Sequence, residues 1–220
     1  MQVGKGNFIN VDTTFLGGLK RAKQLNLVAS KRADVIVSPY IFETSDIFSQ
    51  TSRGRMFAFI RHPIERCASM YAYKKTIDPE IASMSLLDYA RSGRVENNWM
   101  TRFLSNQLQG EITFDHVVIA KEVLRKKCLI GLKEFLWASI KRYEYFFDWK
   151  YDKDPAKQYE CRKKKLLEDI DLNEFEQPKV EEGTQEWTML LWQNKFDMKL
   201  YKYAQELFKE QLSLFPDGYT

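Results

Sequence analysis

Short apolar runs alternate with longer stretches of helical spacing along this chain. Met56 to Ile60 (MFAFI) is a continuous apolar run, which is typical of a strand buried on both faces. Cys128 to Leu132 (CLIGL) predicts a second buried strand, and Phe8 to Val11 and Val35 to Val37 are shorter candidates. We therefore expect an α/β fold, with a parallel sheet flanked by helices.

Helical spacing predicts most of the other elements. We expect helices at residues 15–25, 42–48, 64–75, 113–126 and 135–147, and short helices between residues 85 and 104 that break at Gly93. Thr113 and Asp197 are expected to cap the helices that follow them. On the first of these helices, Val118 is among the apolar residues expected to face the core. The part near the carboxyl terminus is predicted to be mostly helical.

The stretch from Lys150 to Glu186 differs from its surroundings because it is rich in charge. We interpret it as a loop-rich insert and as the best candidate for a mobile lid. Its basic run, Arg162 to Lys165, is consistent with contact to a sulfated glycan, but the nearby Glu168 and Asp169 favour a solvated helix face.

Composition favours one globular domain over residues 1–220. The chain is 44% hydrophobic and 14% aromatic, which suits a sizeable core. A net charge of +4 is too mild to indicate nucleic acid. The three cysteines have no metal-ligand spacing, so we expect no metal. No apolar run reaches the roughly 18 residues of a membrane span, so we expect no membrane contact by this chain itself.

The end of the Met56 to Ile60 strand carries a candidate anion site. Arg61 follows the strand directly, Pro63 suits the first turn of a helix, and Ser69 falls about two turns into that helix. Open α/β sheets bind ligands beyond the carboxyl ends of their strands, and a guanidinium and a hydroxyl can grip one phosphate together. The alternative is that Arg61 is a solvated residue at the rim of the sheet.

Residues 61–71, RHPIERCASMY, resemble the R-[DHN]-P-x-x-R-x-x-S-x-Y signature of carbohydrate sulfotransferases, the Golgi-type family that includes the heparan sulfate O-sulfotransferases. The resemblance implies that Arg61 and Ser69 hold the 3′-phosphate of 3′-phosphoadenosine 5′-phosphosulfate (PAPS), and we assign Arg66 and Tyr71 to support of the helix. Further blocks look like sulfotransferases of algae and other protists. These blocks are Asn7 to Thr14, Arg21 to Leu27, Asp34 to Tyr40, Ser92 to Leu104, Ala120 to Leu132 and Asp197 to Gln211.

The resemblance also implies a fold, a reaction and partners. The fold would be the P-loop-NTPase-like sulfotransferase fold, and PAPS would be the cosubstrate, without a metal. We expect transfer of a sulfuryl group to a hydroxyl of a carbohydrate acceptor. Family members are commonly anchored in the Golgi lumen, and such an anchor would lie upstream of this sequence.

A sulfotransferase needs a general base, and in the heparan sulfate members this is a histidine just after a strand. The corresponding stretch here, Val35 to Glu43, has no histidine. Glu43 is the strong base nearby, although it also fits an ordinary exposed helix carboxylate. His62 is the other candidate, because imidazole titrates in the useful range.

Asn97 to Arg102 (NNWMTR) resembles the N-N-x-x-T-R block of the same family. By this resemblance, Arg102 would meet the nucleotide or an acidic acceptor, and Trp99 would stack on a ring. The alternative is structural: Trp99 packs a junction between short helices, and Arg102 pairs with Glu96.

The 5′-phosphosulfate cradle of the family, approximately P-K-[TS]-x-[ST]-[ST], is not found in this sequence. Gly4 to Gly6 (GKG) lacks the following hydroxyls. We expect a chain that begins after the first strand, loop and helix of the fold, either as a truncated product or as a degenerate protein. The alternative function is therefore a noncatalytic nucleotide-binding or anion-binding protein.

Overall fold

The computed structural model describes residues 11–149, 154–162, 177–216 and 218. The two strands are β1 (Met56–Ile60) and β2 (Cys128–Leu132). The α-helices are α1 (Leu16–Gln24), α2 (Leu27–Ser30), α3 (Ile41–Ser45), α4 (Pro63–Ile77), α5 (Pro79–Ala82), α6 (Leu86–Arg91), α7 (Trp99–Ser105), α8 (Phe114–Lys127), α9 (Leu136–Phe147), α10 (Pro155–Arg162), α11 (Gln185–Gln193) and α12 (Lys195–Glu210). Short 3₁₀ turns follow β2 at Lys133–Phe135 and follow α12 at Gln211–Leu214.

β1 and β2 pair as parallel strands, with Met56 opposite Cys128 and Ile60 opposite Leu132. A parallel pair needs a long crossover connection, and helices α4 to α8 provide it. The described residues thus form a mixed α/β structure with a small parallel sheet, which confirms the predicted class in this coarse form.

The two strands differ in burial. β2 is buried along its whole length, because α8, α9 and α12 all pack against it. In β1 only Ile60 is buried, and Phe59 is 46% exposed. The prediction that Met56 to Ile60 is buried on both faces is therefore wrong: within the described residues this strand pairs only with β2 and has little helix cover.

Side chains close the edge of β2 that faces away from β1. The Gln211 side chain accepts a hydrogen bond from Ile130 N–H at 2.9 Å and donates one to the Cys128 carbonyl at 2.9 Å. Further along, Ser139 Oγ accepts from Leu132 N–H at 2.9 Å. These groups satisfy buried backbone atoms that would otherwise need another strand.

Two further strand predictions are not confirmed. Val35 to Val37 lies in irregular chain, and Val35 and Val37 are 41% and 68% exposed, so this segment buries too little to be held as a strand. Phe8 to Asn10 lies outside the described residues, and Val11 is not in a strand. Gly4 to Gly6 also lies outside the described residues.

Most helix predictions are confirmed within a few residues, including the break at Gly93 between α6 and α7. Thr113 is the N-cap of α8, and its N–H donates to His116 Nδ1 at 2.9 Å. Val117 is fully buried as expected, but Val118 is 45% exposed, so its predicted place in the core is wrong. Val118 is the residue next to Val117, and on a helix that step turns the side chain away from the core.

The charged stretch Lys150 to Glu186 is described only in part. Residues 154–162 include helix α10, and residues 177–186 lead into α11. Residues 150–153 and 163–176 lie outside the described part, and with them most of the basic run Arg162 to Lys165. Among the helices that are described, none is long and apolar enough to cross a membrane.

Two apolar clusters form the core. One lies around the sheet and joins it to α7, α8 and α12. The other joins α4 to α5, α6 and α11, with Ile64 and Leu190 fully or almost fully buried. Helix α4 contacts both α11 and α12, so its first turns are held firmly at the end of β1.

Candidate anion-binding site

The connection from β1 to α4 forms the centre of the site. β1 ends at Ile60, Arg61 and His62 follow, and Pro63 is the first residue of α4. Proline is favoured there because its fixed φ suits a helix and its missing N–H would have no helical partner. The positive end of the α4 dipole therefore lies beside Arg61.

Arg61 and Ser69 converge on one polar group, the side-chain amide of Gln177. Arg61 Nη2 donates to Gln177 Oε1 at 2.6 Å, and Gln177 Nε2 donates to Ser69 Oγ at 3.0 Å. The two residues that the sequence paired as phosphate ligands are thus brought together around a single small group.

Sequence reasoning missed Gln177. It lies 116 residues from Arg61 and 108 residues from Ser69, inside a stretch that was interpreted as a charged insert. No local pattern marks a lone glutamine as the partner of a distant arginine. Its neighbour Pro178 restricts the backbone of Gln177 to extended conformations.

The charge of Arg61 is only weakly compensated. Its side chain is 20% exposed, and Nε lies 3.5 Å from Glu65 Oε2 in a side chain that is 61% exposed. An exposed ion pair of this kind contributes little, because water screens it. Arg61 therefore keeps most of its attraction for an anion.

Arg66 and Tyr71 support the helix, as expected from the sequence. Arg66 Nη1 lies 3.0 Å from Glu96 Oε2, and its guanidinium lies 5.0 Å from the centre of the Trp99 ring. Tyr71 is buried, and its hydroxyl donates to the Met84 carbonyl at 2.7 Å. These contacts tie α4 to the segments that follow it.

Trp99 packs the junction between helices, which is the structural alternative given for it. Its ring lies 4.6 Å from that of Phe103 and beneath the guanidinium of Arg66. Trp99 is therefore connected to α4 through Arg66, but the described residues show no contact between Trp99 and Arg61 or Ser69.

Arg102 binds the loop that follows α7. Its guanidinium donates to Asn97 Oδ1 at 2.8 Å, to the Gln107 carbonyl at 3.2 Å and to the Gly110 carbonyl at 3.0 Å. The predicted pairing of Arg102 with Glu96 is wrong, because Glu96 instead pairs with Arg66. The structure does not bring Arg102 into contact with Arg61 or Ser69.

The helices α7 and α12 cap each other. Asp197 is fully buried and accepts hydrogen bonds from Met100 N–H at 2.9 Å, Thr101 N–H at 2.8 Å and the Thr101 hydroxyl at 2.7 Å. Asn98 Oδ1 in turn accepts from Phe196 N–H at 2.9 Å. The prediction that Asp197 caps its own helix is wrong, because its carboxylate caps α7. Burial raises the pKa of Asp197, and the three hydrogen bonds partly oppose this.

His62 is half-buried between two aromatic rings. Its imidazole stacks on Trp187 at 5.6 Å and meets Tyr201 edge to face at 5.1 Å. Burial lowers the pKa of His62 below 6.5, although the carboxylates of Glu65, Glu134 and Glu182 partly oppose this. The imidazole is therefore neutral at neutral pH and is able to accept a proton.

We expect the protein to lose stability as the pH falls below about 6.5 because of His62. The folded protein lowers the pKa of this imidazole, so below the unfolded value of 6.5 the unfolded chain binds more protons than the folded one. His62→Phe keeps an aromatic ring between Trp187 and Tyr201 and removes the titrating group. Urea unfolding at about pH 5.5 and pH 7.5 should give a smaller difference for this variant than for the wild type. An equal difference in both proteins would contradict the assignment.

Glu43 lies in the first turn of α3, apart from the residues described above. The neighbouring Tyr40 ring lies 5.1 Å from that of Phe103, which joins this segment to α7. Among the described residues, no contact links Glu43 to Arg61 or Ser69. Nor do the described residues show a contact between Glu43 and His62, the other candidate base.

The described residues contain no group of three or more histidine, cysteine or acidic side chains that could hold a metal. Cys67 and Cys128 are free and buried. Burial raises the pKa of Cys67 to about 11 and that of Cys128 to about 12. Both thiols stay protonated and are poor nucleophiles.

No protein-family model, curated protein or solved structure matches the chain. The chemistry of the site around Arg61, Ser69 and Gln177 therefore follows from its own residues and their geometry.

Proposed function

We propose that the chain binds the 3′-phosphate of PAPS at Arg61 and Ser69. In this proposal the chain is a PAPS-dependent sulfotransferase of the carbohydrate family, which transfers a sulfuryl group to a hydroxyl of a carbohydrate acceptor. The observation that carries the proposal is the convergence of Arg61 and Ser69 on the Gln177 amide, at 2.6 and 3.0 Å. The resemblance of residues 61–71 to the family signature identifies which phosphate is meant.

The chemistry of the two side chains supports a phosphate ligand. A guanidinium offers several N–H donors in a planar fork, which matches the oxygens of a phosphate. The Ser69 hydroxyl accepts from Gln177 in the ligand-free protein and can turn to donate to a phosphate oxygen. The first turn of α4 follows Arg61 and His62 directly, and it adds the partial positive charge of a helix N-terminus.

The reacting sulfate would lie at the other end of the nucleotide. Transfer occurs in line with the departing 5′-phosphate oxygen, and the acceptor hydroxyl must lose a proton. A base for that proton is not expected beside the 3′-phosphate. His62 directly follows Arg61, so its position favours Glu43 as the better of the two candidates.

The alternative is a noncatalytic protein that binds the nucleotide or another anion. It is favoured by the surroundings of His62, because Trp187 and Tyr201 enclose this ring in packing contacts. Anion binding needs only Arg61, Ser69 and the start of α4. A sulfate transfer assay with PAPS and sulfated or unsulfated glycan acceptors distinguishes the two functions.

Titration calorimetry with two nucleotides tests the phosphate assignment. We expect 3′-phosphoadenosine 5′-phosphate to bind at least about tenfold more tightly than adenosine 5′-phosphate, because only the former carries the 3′-phosphate. Ser69→Ala removes one hydrogen bond to a charged group, worth about 1.5 kcal/mol. It should therefore lower the affinity for the 3′-phosphorylated nucleotide roughly tenfold.

The control is Ser105→Ala, since the Ser105 hydroxyl donates only within its own helix to the Thr101 carbonyl. This variant should bind like the wild type. Equal affinities of the wild type for the two nucleotides would refute the proposed role of the site. Binding without transfer to any glycan would favour the noncatalytic alternative.

A further inference from the structure

The amide of Gln177 lies between Arg61 and Ser69, the two proposed phosphate ligands. Its oxygen accepts from Arg61 and its nitrogen donates to Ser69, so both proposed ligands are already engaged. We propose that Gln177 is a built-in competitor for the anion, which satisfies Arg61 and Ser69 in the free protein and is displaced when phosphate binds. This inference rests on the proposed function, because it assumes that Arg61 and Ser69 are the anion ligands.

The amide and a phosphate cannot both bridge Arg61 Nη2 and Ser69 Oγ. Gln177 Oε1 accepts from Arg61 Nη2 at 2.6 Å, a distance typical of a charge-assisted hydrogen bond. A phosphate that contacts the same two atoms would overlap with the amide, which already lies between them. At least this end of the amide must leave before the anion binds.

Gln177 is also suited to be displaced. It is neutral, so its bond to Arg61 is weaker than the one that a phosphate dianion would form. Gln177 is only half-buried, so its side chain can move into solvent when the anion binds. A charged ligand that engages both Arg61 and Ser69 therefore displaces the amide, whereas an anion that reaches only one of them competes poorly.

The competition by Gln177 makes the apparent affinity for the anion depend on the fraction of molecules in which the amide has left the site. A ligand that binds only the open form has its apparent affinity reduced by the fraction of molecules that are open. An amide in place for about nine-tenths of the time would weaken binding roughly tenfold. Removing Gln177 should therefore strengthen binding, which is the opposite of what is expected for a residue that contacts the ligand.

Calorimetric titration of the full chain tests this, with 3′-phosphoadenosine 5′-phosphate and inorganic phosphate as separate probes. We expect Gln177→Ala to bind both probes about 3- to 10-fold more tightly than the wild type. Gln177→Glu places a carboxylate beside Arg61 and should lower the affinity for both probes at least about tenfold. Unfolding midpoints of the variants show whether each is folded.

A matched control is present elsewhere in the chain. Arg91 Nη2 donates to Gln185 Oε1 at 3.1 Å, so Gln185→Ala removes a similar arginine–glutamine contact that includes neither Arg61 nor Ser69. This variant should bind both probes like the wild type.

The results separate this inference from the proposed function. Unchanged or weaker binding by Gln177→Ala overturns the competitor role, even if Arg61→Ala abolishes binding and thereby supports the site. If inorganic phosphate responds to Gln177 as expected but the nucleotide does not bind, the competitor role stands and the nucleotide assignment fails. If neither probe binds to any variant, both are overturned.

Discussion

Asp197→Ala is expected to lower the free energy of unfolding by at least about 3 kcal/mol. The carboxylate is fully buried and accepts hydrogen bonds from Met100 N–H, Thr101 N–H and the Thr101 hydroxyl. Alanine leaves these three donors without an acceptor, at a cost of about 1–3 kcal/mol for each one that stays buried. Urea unfolding followed by far-ultraviolet circular dichroism measures the change.

Asp78 provides a matched control at the surface. Its side chain caps α5 by accepting from Glu80 N–H at 3.0 Å and Ile81 N–H at 3.4 Å, but it is only partly buried. Water can replace these bonds, and it screens the ion pair of Asp78 with Arg94 Nη1 at 3.0 Å. Asp78→Ala should therefore cost about 0.5–2 kcal/mol, the usual range for a cap. Similar losses for Asp78→Ala and Asp197→Ala would contradict the importance of burial.

Asp197→Asn keeps the shape of the side chain but removes its negative charge and one of its two acceptor oxygens. The amide keeps one acceptor oxygen, but its nitrogen would face N–H donors and cannot accept from them. We expect a loss smaller than that of Asp197→Ala but still larger than that of Asp78→Ala. A loss as large as that of Asp197→Ala would mean that the remaining acceptor of asparagine contributes nothing.

The mutual capping of α7 and α12 also bears on the candidate site. Tyr201 of α12 contacts the His62 ring at 5.1 Å, and Asn194, just before α12, donates to Cys67 Sγ of α4 at 3.4 Å. Asp197 fixes α12 against α7, and α12 in turn contacts the first turns of α4. We therefore expect the Asp197 variants to loosen the site as well as the core.

The parts of this structure that sequence predicts well are those with local causes. The apolar run Met56 to Ile60, the following Arg61 and the Pro63 helix start are neighbours along the chain, and each is found where it was expected. Ser69 lies on the same helix, so its approach to Arg61 follows from helix geometry and the placement of α4.

The parts that sequence missed depend on distant partners. Asp197 has the local pattern of an N-cap, yet it caps a helix that begins about a hundred residues earlier, and only packing reveals this. Gln177 has no pattern at all. Val35 to Val37 has the composition of a strand but no strand beside it in the described structure, and β-propensity has little effect without a partner.

Arg61→Ala is expected to weaken the binding of 3′-phosphoadenosine 5′-phosphate roughly 10- to 150-fold. Among the described residues of the proposed site, only this guanidinium carries a full positive charge, and hydrogen bonds to charged groups contribute about 1.5–3 kcal/mol. Arg61→Lys keeps the charge but loses the planar fork, so it should recover only part of the affinity. Titration calorimetry gives the three dissociation constants.

Arg91→Ala is the control for this effect, because it removes another guanidinium that donates to a glutamine, Gln185 instead of Gln177. Its affinity for the nucleotide should match that of the wild type. A general loss of positive charge would weaken both variants equally, whereas a phosphate ligand makes the loss specific to Arg61. The wild-type affinity should also fall with added salt, since screening acts on the attraction between Arg61 and the phosphate. If Arg61→Ala bound as tightly as Arg91→Ala, the anion would lie elsewhere on the protein.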